Sequence, residues 1–91
     1  MAVSAKGGGV TATAPYGDKA GVISVYDGSG DGDAGKAEYY RQTTAGTKRT
    51  LWNQSGYKTR TISADGSKII KFKACDDNDW DSDDCSGWVA P

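Results

Sequence analysis

The 91-residue chain contains no histidine. That absence removes imidazole as a general acid or base, the Ser-His-Asp and Cys-His nucleophile pairs, and every zinc site built on imidazole. Two cysteines are too few for a four-thiolate zinc or iron–sulfur centre. Leucine, phenylalanine and methionine each occur once. No run of about 18 apolar residues exists, so the sequence offers no membrane-spanning helix. Nor does any window carry an apolar stripe at i, i+3, i+4, i+7, and helix is not expected. With 36% hydrophobic residues, the chain is expected to form one domain with a thin core. A domain of this size buries only about 60–65% of its extended-chain surface and usually needs a covalent staple.

What is abundant is turn chemistry and short β-branched runs. Strand signals recur at Val10–Ala14, Val22–Tyr26, Lys36–Gln42, Lys48–Trp52, Tyr57–Ile62, Lys68–Ala74 and Cys85–Val89, with Gly, Asp, Asn and Ser between them. Seven short strands read as a small antiparallel β-sandwich or Greek-key barrel. Period-2 alternation places Ile23, Val25, Tyr39, Leu51, Ile62, Ile70, Phe72 and Trp88 inside. Residues 1–9, with Lys6-Gly7-Gly8-Gly9, lack a pattern and are expected to be a flexible N-terminal arm ahead of a single domain over 10–91.

Cys75 and Cys85 enclose nine residues, six of them aspartates. Free thiols in that negative field would be poor nucleophiles, because it disfavours the thiolate. A disulfide closing the loop would stabilise the fold by roughly 3 kcal/mol, and it implies an oxidising, extracellular compartment. The opposing reading is a pair of unlinked, half-buried thiols. Ala2-Val3-Ser4-Ala5 resembles the small residues that follow a signal-peptidase cut. With no charged or apolar leader before it, a trimmed signal peptide is expected.

Three constellations could carry chemistry. Asp27, Ser29, Asp31, Gly32, Asp33 and Glu38 follow the spacing of a twelve-residue calcium loop, with oxygens for a hard cation and glycine at the bend. The flanking segments look like strands rather than helices, so a polar turn is the competing reading. The loop from Asp76 to Asp84 could be a solvated loop, a docking surface for a basic partner or a divalent-ion site. There Trp80 would be an interface anchor, with Asp77, Asp79 and Asp81 steering the encounter. Residues 36–73 hold nine Lys or Arg against Glu38 and Asp65, with Tyr39, Tyr40, Trp52 and Tyr57 interleaved. A single-strand nucleic-acid face is one reading, and a solvated sheet face is the better one. Paired carboxylates for catalysis lack a deep cleft, so no enzyme is expected.

Val25-Tyr26-Asp27, Asp31-Gly32, Tyr40-Arg41, Lys73-Ala74-Cys75 and Trp80…Cys85-Ser86-Gly87-Trp88-Val89 together resemble a group of small secreted actinobacterial proteins with one disulfide. Some of these resemble the adaptor subunit of umbrella-shaped antibacterial toxin particles. The resemblance implies a β-sandwich, a Cys75–Cys85 bridge, export from a streptomycete-like organism, and docking through an extended N-terminal arm. Residues 2–9, with Val3, Ser4, Ala5 and Lys6, stand where that arm would be. A second resemblance joins Asp83-Asp84-Cys85-Ser86-Gly87 to the Asp-Asp-x-Ser-Ser calcium signature of βγ-crystallin-type killer-toxin-like and inhibitor proteins, with Gly87 at the last serine position. The expectation is a secreted, non-catalytic protein-binding module with a protein partner, an adaptor of a toxin assembly. The alternative is a calcium-binding βγ-crystallin-like antimicrobial or inhibitor protein.

Overall fold

The structure, a computed structural model, describes residues 2–30, 32–77 and 83–91. Its strands are β1 (Val3–Gly7), β2 (Val10–Ala14), β3 (Ser24–Asp27), β4 (Gly35–Arg41), β5 (Thr44–Asn53), β6 (Arg60–Ile62), β7 (Ile69–Asp76) and β8 (Asp84–Cys85). They form two antiparallel four-stranded sheets, in the order β1-β2-β3-β6 and β5-β4-β7-β8. The chain crosses between sheets after β3, β5 and β6, which makes a two-layer β-sandwich. None of the described residues forms a helix long and apolar enough to cross a membrane.

Residues 2–9 are not a free arm. Val3–Gly7 pairs with Val10–Ala14 through five residues on each side. Gly8 and Gly9, at φ 60° and 89°, make the two-residue turn whose twist suits a hairpin. Ala5 and Gly7 face inward, and a Cβ on Gly7 would stand 2.5 Å from the Ala74 carbonyl oxygen and 2.6 Å from the Ser86 nitrogen. The glycines that read as flexibility in the sequence are a turn and a close backbone approach.

The core is built from small residues. Ala5, Val10, Ala12, Ala14, Ile23, Val25, Ala37, Tyr39, Ile69, Phe72 and Ala74 pack between the sheets, with Val3, Leu51 and Val89 partly buried against them. Three expected core residues are displaced, each for a local reason. Ile62 is 52% exposed, because it shares the outward face of β6 with Arg60, while Thr61 points the other way. Ile70 is the extra residue of a bulge, since Tyr40 pairs with Lys71 but Arg41 with Ile69. Ile69 therefore takes the inward position, and Ile70 is only half-buried. Trp88 is 41% exposed. Cys75 pairs with Cys85 whereas Phe72 bridges Val89, so the register slips by one and Val89 turns in as Trp88 turns out.

Two buried polar side chains hold the crossings. Arg41 donates to the carbonyls of Gly21 at 2.7 Å, Ser67 at 2.8 Å and Ala64 at 3.2 Å. Asn53 donates to Val25 and Thr59 carbonyls at 3.3 and 2.8 Å, and its Oδ1 accepts from the Ser55 amide at 3.0 Å and the Thr59 hydroxyl at 3.2 Å. The disulfide joins Cys75 to Cys85 across directly paired positions of β7 and β8.

Gly7→Ala is expected to lower stability by about 1–3 kcal/mol, as overpacking against fixed backbone does. Removing residues 2–9 should also lower the melting temperature, because it uncovers Val10, Ala12 and Ala14. An unchanged melt for either variant would contradict the paired β1. The double variant Cys75→Ser, Cys85→Ser should lose roughly 2–4 kcal/mol in denaturant unfolding.

Candidate functional site

The outer face of the second sheet is organised by cross-strand pairing. Lys36 on β4 lies between Trp52 on β5 and Cys75 on β7, Glu38 between Thr50 and Lys73, and Tyr40 beside Lys71. Alternation along Lys36-x-Glu38-x-Tyr40 and Lys71-x-Lys73 puts all five side chains on one face.

Glu38 is the electrostatic centre of this face. Its side chain is 11% exposed and its oxygens lie 3.4 Å from Lys73, 3.6 Å from Lys36 and 3.6 Å from Lys48. Lys36 also reaches Asp83 at 2.6 Å and sits 4.9 Å from the Trp52 ring centroid. The end of the acidic loop is thus pinned onto the basic sheet. Burial alone would lower the pKa of Lys36. The Asp83 hydrogen bond and the charges of Asp83, Glu38 and Asp77 outweigh it, and the pKa is raised.

Beside this network lies an aromatic and cationic cluster. Tyr40 and Trp88 rings are 5.4 Å apart. Lys71 lies 4.6 Å from the Tyr40 centroid and 5.1 Å from that of Trp88, and Lys73 lies 4.8 Å from Trp88. Trp52 and Trp88 are both 41% exposed. The nine cations of residues 36–73 do not share one surface. Arg41 is buried among carbonyls, and Arg60 belongs to the first sheet, 4.9 Å from the Tyr16 ring and 5.3 Å from that of Tyr26.

The other expected site residues fall in separate places. On β1, Val3 is half-buried, Ala5 is buried, Ser4 and Lys6 are exposed, and the Ser4 hydroxyl is 2.9 Å from that of Thr13. Asp77 is half-buried, and its amide donates to the Ala34 carbonyl at 2.9 Å. Asp79, Trp80 and Asp81 lie outside the described residues, as does Asp31. Of the calcium-loop positions, Asp27 closes β3 and accepts the Ser29 amide at 2.9 Å. Asp33 shares its cleft with Asp27 and Ser29. Glu38, the expected twelfth-position ligand, is on the outer sheet face among three lysines. Among the described residues no group of three or more acidic or thiol side chains could hold a metal ion. Lys36, Lys71, Lys73 and Trp52 were legible as an outward face by alternation; the part of Trp88 depended on a register slip that alternation does not reveal.

Comparison of the chain with protein-family models, with curated proteins and with solved structures finds no match in any of the three.

Lys36→Met keeps the aliphatic stem and removes the charge, and it should cost about 1–3 kcal/mol near neutral pH. The sign of its pH dependence follows from the raised pKa. The folded state holds the Lys36 proton more tightly than the unfolded chain, so the contribution is complete below the ordinary lysine value of 10.5 and is lost as pH rises through the folded value. The stability gap between wild type and variant should therefore stay constant from about pH 7 to about pH 9 and narrow beyond about pH 10.5. Urea unfolding at each pH checks this, and a gap that widens with pH would reverse the assignment.

Proposed function

We propose that this chain is a secreted, non-catalytic protein-binding module that docks an acidic partner surface on the outer face of its second sheet. The observation that carries this reading is the cluster of Tyr40, Trp88, Lys71 and Lys73, in which an exposed indole and a half-buried phenol ring are framed by ammonium groups. Protein interfaces concentrate their binding energy in a few aromatic and cationic anchors of this kind. Lys71 has no carboxylate within ion-pair distance among the described residues, so its charge is available to a partner, whereas Lys36 is already neutralised from two sides. Secretion is supported by the Cys75–Cys85 disulfide, which persists in oxidising compartments.

The resemblance to small secreted single-disulfide proteins makes an adaptor subunit of an antibacterial toxin assembly the finer form of this reading. In such an adaptor, residues 2–9 would contribute an edge strand to a partner rather than a free arm. β1 has β2 on one side and, among the described residues, no paired strand on the other, and a partner strand adds readily to such an edge.

Affinity capture from the secreted fraction of the source organism, with bound proteins identified by mass spectrometry, tests the docking face. The double variant Trp88→Ala, Lys71→Glu should retain the wild-type circular dichroism and melting profile, because both side chains are exposed. It should lose at least roughly tenfold in affinity for the captured protein, and wild-type binding should weaken steeply with added salt. Equal affinity of the folded variant for the same protein would remove this face from the proposal.

A further inference from the structure

The first sheet runs in the order β1-β2-β3-β6. Its last strand, β6 (Arg60–Ile62), therefore has β3 on one side and, among the described residues, no paired strand on the other. Two hydrogen bonds flanking β6 fix the phase of its ladder. The Asp27 amide donates to the Thr59 carbonyl at 2.9 Å, and the Ser63 amide donates to the Ile23 carbonyl at 2.9 Å. Both continue the register in which Ser24 faces Ile62, Val25 faces Thr61 and Tyr26 faces Arg60. Hydrogen-bonded pairs alternate along an antiparallel ladder, so Thr61 turns its backbone groups to β3, while Arg60 and Ile62 turn theirs outward along the sheet edge. Those outward N–H and C=O groups meet no partner among the described residues.

The side chains at the two outward positions face solvent together. Ile62 is 52% exposed. The Arg60 guanidinium is held in place, 4.9 Å from the Tyr16 ring centroid and 5.3 Å from that of Tyr26, with Nη1 donating to the Ser24 hydroxyl at 2.6 Å. A guanidinium carries several further donors, and no carboxylate lies within ion-pair distance of Arg60 among the described residues. Ordering by two rings and a hydroxyl has already removed part of its rotamer freedom, so a carboxylate can meet the free donors at little further entropic cost.

We infer that the edge of β6 takes an extended peptide strand in antiparallel pairing, with an acidic side chain opposite Arg60 and an apolar one opposite Ile62. The facing residues are two apart in the incoming strand, and its antiparallel direction makes the recognised sequence apolar-x-acidic, read from its N-terminus. Main-chain bonds to Arg60 and Ile62 give the affinity, and the side-chain pair gives the selectivity. A positive charge on so short an edge also rejects basic strands. A second copy of β6 does not satisfy this edge. Antiparallel pairing about Thr61 would set each Arg60 against the other's Ile62 and leave both guanidinium groups without a carboxylate. The edge belongs to the first sheet and shares no residue with the cluster around Trp88.

Two-dimensional amide NMR of the whole chain tests this, with the capped peptide Ser-Thr-Val-Thr-Glu-Thr-Ser titrated to millimolar concentration. The amides of Arg60 and Ile62 should shift saturably and gain protection from hydrogen exchange. Those of Ser4 and Lys6 on the β1 edge, and that of Lys71, should not move. Lysine in place of the peptide's glutamate should weaken binding at least roughly tenfold, and folded Arg60→Glu should reverse that preference. Ile62→Pro removes an outward N–H without touching the bonds to β3, a substitution that edge strands accept, and it should abolish binding. Ile62→Thr keeps the amide and should retain part of it. The proposal is overturned if the glutamate peptide leaves the Arg60 and Ile62 amides unmoved, if the lysine peptide binds as well, or if folded Ile62→Pro binds as wild type does. Shifts of these two amides on raising the protein concentration alone would also overturn it, since the edge would then join two copies of the chain. Because the readout is at β6, the result does not depend on whether the second sheet captures a protein.

Discussion

Alanine and glycine occupy much of the space between the two sheets, and the backbone of β1 therefore lies directly against β7. A Cβ on Gly7 would stand 2.5 Å from the Ala74 carbonyl oxygen, so the approach has no slack. Much of the rest follows from that closeness. Sheets this near one another bury little apolar volume, with Phe72 the largest fully buried side chain among the described residues. Hydrophobic burial scales with apolar area, so other interactions must contribute: the disulfide at the β7–β8 edge, and the two polar side chains that close the ends of the sandwich.

Those polar side chains also fix how the crossing segments lie at the two ends of the sandwich. Arg41 binds carbonyls from the segments around Gly21, Ala64 and Ser67, and so fixes the crossings at one end. A buried guanidinium is costly unless its donors are satisfied, and here they are met by backbone oxygens. Asn53 ties β3 to the 54–59 segment at the other end. The turn carrying Gln54 and Tyr57 is therefore anchored to the core by one amide.

The two-layer antiparallel architecture was legible, because short alternating runs separated by Gly, Asn and Asp admit few other folds. The stapling disulfide was legible too, from the acidic loop that leaves free thiols no evident role. What alternation could not show were its own interruptions. Period 2 puts Ile70 beside Phe72, but one extra residue in β7 hands the inward position to Ile69. A similar slip between Cys85 and Val89 turns Trp88 outward. Ile62 was misplaced by hydrophobicity outweighing parity, since Arg60 two residues earlier already marks that face as outward. The N-terminal strand was hidden because its inward residues are Ala5 and Gly7, which carry almost no apolar signal. The calcium-loop spacing matched, but Glu38 has three lysines across neighbouring strands, and no local motif reports cross-strand partners.

The charge distribution changes its meaning once the strands are paired. Along the chain, the nine cations of residues 36–73 precede the six aspartates of residues 76–84, which suggests a molecule with two opposed poles. In space Asp83, near the end of that acidic stretch, lies 2.6 Å from Lys36 on the basic sheet. Glu38 holds Lys36, Lys48 and Lys73 from within the sheet. Much of the apparent dipole is consumed in these short-range pairs. Arg41 is spent on carbonyls, and Arg60 stands among the rings and the Ser24 hydroxyl of the other sheet. What is left for a partner on the outer face of the second sheet, among the described residues, is Lys71, with Lys73 behind it, on rings that already shield part of their hydration. A cation held over an indole is partly desolvated before any partner arrives, so pairing it with a carboxylate costs less than pairing a freely hydrated lysine. Specificity on this face then depends less on total charge than on whether an approaching acidic surface can also cover Trp88.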